Sequence, residues 1–179
     1  MSGDGFSAPY PVPRDQALSA IRTALDPLRG LRLSIVTRSG PMLILGFGEP
    51  EAYALHVQAP WRLDHLPTGT ITGQGDTWTP VPREPPPGWH WRDGPVLLDH
   101  RLELLFPLKE GKRRRQNHSD DFRVREIEAT DTGDLVIRFE RPYVLRVHPH
   151  GTRGESWRVF RPGDTGSHFV FEDGLAGHQ

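Results

Sequence analysis

Two histidines, His148 and His150, stand two residues apart. On a strand such a pair faces one side, which makes half of a zinc or iron site. A third ligand would come from His56, His100, His118 or an acid such as Glu155. The alternative lies in Gly151, which follows the pair and marks a hairpin tip where imidazole is simply solvated.

A second constellation pairs Trp with Arg. Trp61-Arg62 closes one extended stretch, and Glu155-Ser156-Trp157-Arg158 opens another. Indoles supply contact area at a sheet end, and a guanidinium grips carboxylate or phosphate. Trp61, Arg62, His56, Glu155 and Trp157 would then line a cleft for a small molecule, or for a metal-dependent enzyme with His148 and His150. Alternatively, Trp61 and Trp157 are core-edge anchors, and Arg62 or Arg158 pairs with Glu155 or Asp76.

Two loops carry binding chemistry. Lys109-Glu-Gly-Lys-Arg-Arg-Arg115 holds five positive charges and one negative, a local net of +4. Gly111 gives such a loop freedom to wrap phosphate, but no aromatic residue interleaves for base stacking, and Glu110, Asp120 and Asp121 temper the charge. An acidic protein partner, steered by charge, suits Arg113, Arg114 and Arg115 better. Pro85-Pro-Pro-Gly-Trp-His-Trp91 offers Trp89 and Trp91 as anchors in a recognition loop or lid. Alternatively, both indoles fold back on the sheet, because a long loop needs packing of its own.

Familiar catalytic signatures are missing: the chain has no Gly-x-Ser-x-Gly elbow, Walker loop, dinucleotide glycine fingerprint or His-Glu-x-x-His. It has no cysteine, so disulfides, thiolate metal sites and cysteine nucleophiles are excluded together. Acids such as Asp76, Asp99, Glu103 and Glu155 permit acid–base pairs, but their spacing nominates none. A net charge of −1 favours neither nucleic acid nor an anionic membrane. Nearly all bases are Arg, with Lys109 and Lys112 the only lysines, which reads as a GC-rich bacterial genome.

These residues must be positioned by short elements, because 19 glycines and 18 prolines in 179 residues predict many turns. Residues 1–13 read as a flexible arm with Pro9, Pro11 and Pro13. Asp15 to Leu28 is helical, with Leu18, Ile21, Leu25 and Leu28 in one stripe and Pro27 ending the regular turns. A meander follows: 31–37 with Leu31, Leu33 and Ile35 on one face, then 42–47, then 52–58. Residues 64–95 are the least regular, with a short strand at Thr70–Thr72. Leu97–Leu105 fits a helix or a strand. Beyond a charged loop, 124–129, 135–140, 143–147 and 156–160 read as a run of antiparallel hairpins, and the tail after Asp173 is expected to fray.

Ala54-Leu-His-Val-Gln-Ala-Pro-Trp-Arg-Leu63 precedes Gly73-x-x-Asp76, and Asp131-x-Gly-Asp-Leu-x-Ile-x-Phe139 precedes Leu145-x-Val-x-Pro149 and Glu155-Ser-Trp-Arg158. This order of blocks, over 31–162, is similar to an uncharacterised family of small β-rich bacterial proteins from actinobacteria-like genomes. The resemblance implies a fold neighbourhood and a bacterial, cytoplasmic setting, and no established activity. It also implies a cysteine at the Ala59 position, so any shared thiol role is out of reach here. In size and strand content the chain further resembles immunity proteins of bacterial toxin systems.

The expected fold class is α+β: an N-terminal helix packed on a largely antiparallel β-sheet or partial barrel built from meanders. One domain should span 14–173. The expected function is non-enzymatic binding of a protein partner, immunity-like or accessory, through the loops 109–115 and 85–91. No cofactor is expected. The start of the chain has no secretory character, and no apolar run approaches the ~18 residues that span a bilayer.

Overall fold

The computed structural model describes residues 13–49, 51–81, 84–92, 95–108, 115–151, 153–166 and 168–178. Of the expected N-terminal arm, residues 1–12 lie outside these. Pro13 stands at the N-cap of α1 (Arg14–Leu25), where its missing N–H costs no helical bond, and Asp15 meets the positive end of the helix dipole. Pro27 turns the end of the helix into a 3-10 turn, Asp26–Leu28. Of the expected apolar stripe, Ile21, Leu25 and Leu28 are buried and Leu18, in the first turns, is half-buried.

A meander of β1 (Leu33–Ser39), β2 (Met42–Phe47) and β3 (Tyr53–Val57) follows. Gly40, with φ +59, takes the first central position of the two-residue β1–β2 turn, as a type II′ turn demands. The expected face of β1 is corrected by a register shift between Leu33 and Ile35. The bulge moves Val36 into the core and leaves Ile35 half-buried.

The chain then switches sheets. Gln58–Pro60 lead into β4 (Trp61–His65), which pairs with β5 (Gly69–Gly73). A 3-10 turn (Gln74–Trp78) comes next, its start tied by Gly73 N–H and the Thr72 hydroxyl donating to the Asp76 carboxylate. Leu97–Leu105 resolves as the helix α2, burying Leu98 and Leu102. β6 (Arg115–Gln116) returns to pair with β1. Then come β7 (Val124–Ala129), β8 (Leu135–Phe139) and β9 (Tyr143–Val147), consecutive hairpins as expected.

The run of hairpins stops there. β10 (Glu155–Phe160) does not pair with β9 but crosses to β3 of the first sheet. It continues into β11 (Phe169–Glu172) and β12 (Leu175–His178). The segment expected to fray is thus a paired strand. Asp173 (φ 53) and Gly174 (φ 75) both take positive φ and join the last two strands in a two-residue type I′ turn.

The result is α+β with two antiparallel sheets: seven strands ordered β12-β11-β10-β3-β2-β1-β6, and five ordered β5-β4-β9-β8-β7. The sheets are not closed into a barrel. Of the four connections between them, the two direct corners, β3 to β4 and β9 to β10, lie side by side. Gln58 and Ala59 N–H donate to Ser156 O, and His148 N–H donates to Pro60 O. On the opposite side Val124 N–H donates to Leu31 O, and Gly30 N–H to Val124 O. One apolar core runs between the sheets and under both helices. No helix among the described residues is long and apolar enough to cross a membrane.

Candidate functional site

The base of the irregular region is closed by backbone bonds. Val81 N–H donates to Pro95 O and Leu97 N–H to Thr79 O, beside a Pro80–Val96 bridge. This closure brings Trp78, at the end of its 3-10 turn, against Trp91, with centroids 5.3 Å apart and planes at 88°. Edge-to-face packing of this kind suits the ring quadrupoles. The Arg92 guanidinium lies 4.9 Å above the Trp91 ring, a cation–π contact, and the His90 ring tilts against the same indole at 5.3 Å. Trp78 is 52% exposed.

This cluster rests on charged support. Trp91 packs so closely on the β1–β2 turn that a Cβ added to Gly40 would sit 3.3 Å from its ring. Arg38, two residues before Gly40, donates to the Gly40 carbonyl and, through Nε at 2.8 Å, to Asp99 of α2. Its second terminal nitrogen closes the bidentate pair with the same carboxylate. Arg115 reaches Asp99 O and the Glu103 carboxylate, each at 3.5 Å. Asp99 of α2 thus receives both Arg38, from the turn beneath Trp91, and Arg115, the last residue of the basic run.

Other expected site residues fall elsewhere. Trp61 and Trp157 are core residues, 5% and 0% exposed, so no cleft wall forms from them. Inward-pointing strand positions in a sandwich demand large apolar groups, and both indoles fill that need. Arg62 is exposed and pairs with Asp64, which also accepts from Arg146 at 3.0 Å. Trp89 and Trp91 are half-buried against the core. Arg113 and Arg114 lie outside the described residues. Arg115, expected as a free binding charge, is a largely buried anchor held by Glu103.

Glu155 and Arg158 form an ion pair, Nε to carboxylate at 2.7 Å. Burial pushes the Glu155 carboxyl up, but hydrogen bonds from Arg158 and Gln58, with the Arg158 and His56 charges, outweigh it and hold the pKa below the ordinary value. His56 pairs with Arg158 across β3 and β10, away from Trp61. His148 and His150 are exposed on the β9–β10 connection, and His148 Nδ1 lies 3.1 Å from the Asp134 carboxylate. Among the described residues no three potential metal ligands converge.

Trp78 and Arg92 escaped the sequence reading. Trp78 sits outside the Pro-Pro-Pro segment, and its link to Trp91 exists only through the closed loop base. The signal available was that three of five tryptophans fall within 78–91.

No protein-family model matches this chain, no curated protein matches its sequence, and no solved structure matches its fold.

Proposed function

We propose that this is a non-enzymatic binding protein, in the bacterial cytoplasmic setting that its resemblance implies, and that it takes a protein partner on the surface of Trp78, Trp91 and Arg92. The exposed Trp78, edge-on to a buttressed Trp91 capped by a guanidinium, carries the reading. Trp and Arg dominate binding hot spots, and anchors held rigid before binding lose little entropy on association. The partner surface is acidic, because the exposed Arg92 guanidinium over Trp91 presents a positive charge on this surface.

The test uses full-length tagged protein against lysate of its native host, with Trp78→Ala and Arg92→Ala as controls. A partner retained by wild type is then purified and its Kd measured at several salt concentrations. We expect Trp78→Ala to weaken binding by at least tenfold, about 1.4 kcal/mol, and Arg92→Ala to weaken it less while flattening its salt dependence. Retention of every partner by both variants would remove this surface from the function.

A further inference from the structure

A second recess, distant in sequence from the tryptophan surface, opens between α1 and the segment joining β10 to β11. Its volume is about 200 Å³. An apolar void of ~150 Å³ already admits benzene. The floor is apolar: Ala24 of α1 with the buried Val159 and Phe169. The rim carries Tyr53, Arg161 and His168.

Arg161 decides the chemistry. Its Nε and Nη2 donate to the Tyr53 hydroxyl at 3.1 and 2.6 Å, and its Cζ stands 5.0 Å over the Tyr53 ring. No carboxylate among the described residues forms an ion pair with it. The nearby Asp164 accepts instead from Gly166 N–H, within its own turn. The guanidinium is therefore oriented by Tyr53, without an ion pair among the described residues, and left with Nη1 donors to spare. His168 stacks on Phe160 at 4.3 Å and turns Nδ1 to within 3.4 Å of Arg158 Nη1.

We propose that this recess binds a small organic monoanion, a carboxylate on an aromatic or short aliphatic body. Arg161 takes the carboxylate and the Ala24–Val159–Phe169 floor takes the body. A single guanidinium matches a monoanion, and Asp164 on the rim disfavours a second negative charge. This site stands independently of the partner surface.

Benzoate is the probe, with benzamide as its neutral isostere, titrated into isotopically labelled full-length protein and followed by amide chemical shifts. Saturable benzoate shifts should appear around Ala24, Tyr53 and residues 159–169, with benzamide at least tenfold weaker. Arg161→Gln, an exposed position that leaves the core intact, should cost at least tenfold in affinity. Ala24→Leu keeps a good helix former and fills the floor, so it should abolish the shifts with the rest of the spectrum unchanged. No saturable shift, equal binding of benzamide, or unchanged binding in both variants would overturn the proposal.

Discussion

The Trp157 indole donates to the Gly133 carbonyl at 2.8 Å, tying the seven-stranded sheet to the β7–β8 turn of the other sheet. Phe171 stacks on Trp157 at 5.6 Å and presses on the same glycine. A Cβ there would lie 2.4 Å from the Phe171 ring, and Gly133 has φ +82. Gly133→Ala should therefore destabilise the protein by about 3 kcal/mol, combining left-handed strain of ~1 kcal/mol with overpacking of 1–3. Urea unfolding checks this, and a loss under about 1 kcal/mol would show that the turn yields.

The two buried tryptophans should respond differently to loss of the indole nitrogen. Trp157 has an acceptor, whereas Trp61 Nε1 is buried with no partner among the described residues. Trp157→Phe should cost about 2–3 kcal/mol, because it also strands the Gly133 carbonyl. Trp61→Phe should cost under about 1 kcal/mol, since relief of an unsatisfied donor offsets the lost volume. Chemical denaturation of both variants would expose equal losses, which would contradict this assignment.

Glu155 sets an acid dependence. Its folded pKa lies below the unfolded value, so its ion pair contributes fully above that value and is lost as pH falls through the folded pKa. Glu155→Gln should destabilise by about 1–2 kcal/mol at pH 7, less than a fully buried pair, because the Arg158 side chain keeps 31% exposure. The gap from wild type should narrow as pH falls below the ordinary glutamate range and close only once pH has passed the lowered folded pKa. Thermal melts from pH 7 to pH 3 provide the measurement, and a constant gap would exclude the carboxylate as its source.

Arg38 joins α2 to the turn beneath Trp91, with its side chain only 17% exposed. Arg38→Ala should cost about 2 kcal/mol and weaken partner binding through loss of the Trp91 support. A double-mutant cycle with Asp99→Asn should show coupling above about 1 kcal/mol. Additive losses would mean that the pair is not a unit.

Much of the local architecture was legible from side-chain type and spacing. The stripe of Ile21, Leu25 and Leu28 marks α1 because a 3.6-residue period places those positions on one face. Alternation marks β8, apolar residues at intervals mark β7 and β9, and short turns make these neighbouring strands pair. Asp173-Gly174 carried a hairpin signal that composition near a chain end obscured, so β12 went unread.

Alternation gives a strand two faces but no partner, so the crossing of β10 to β3 was beyond it. That pairing joins residues about a hundred positions apart, through Trp157–Val57 and Val159–Leu55, and needs both corners in place at once. The same limit governed the aromatics. An indole serves a core and a binding surface equally well, and only the packing of two sheets decided between them. It buried Trp61 and Trp157, and it left Trp78 exposed beside Trp91 because the loop closes at Pro80–Val96. Sequence alone determined α1, the first meander and β7 to β9, since these follow from patterns within a few residues, whereas β4, β6, β11 and β12 carried no such pattern. Tertiary structure alone decided which side chains meet, since contact depends on strands and loops that the chain brings together from far apart.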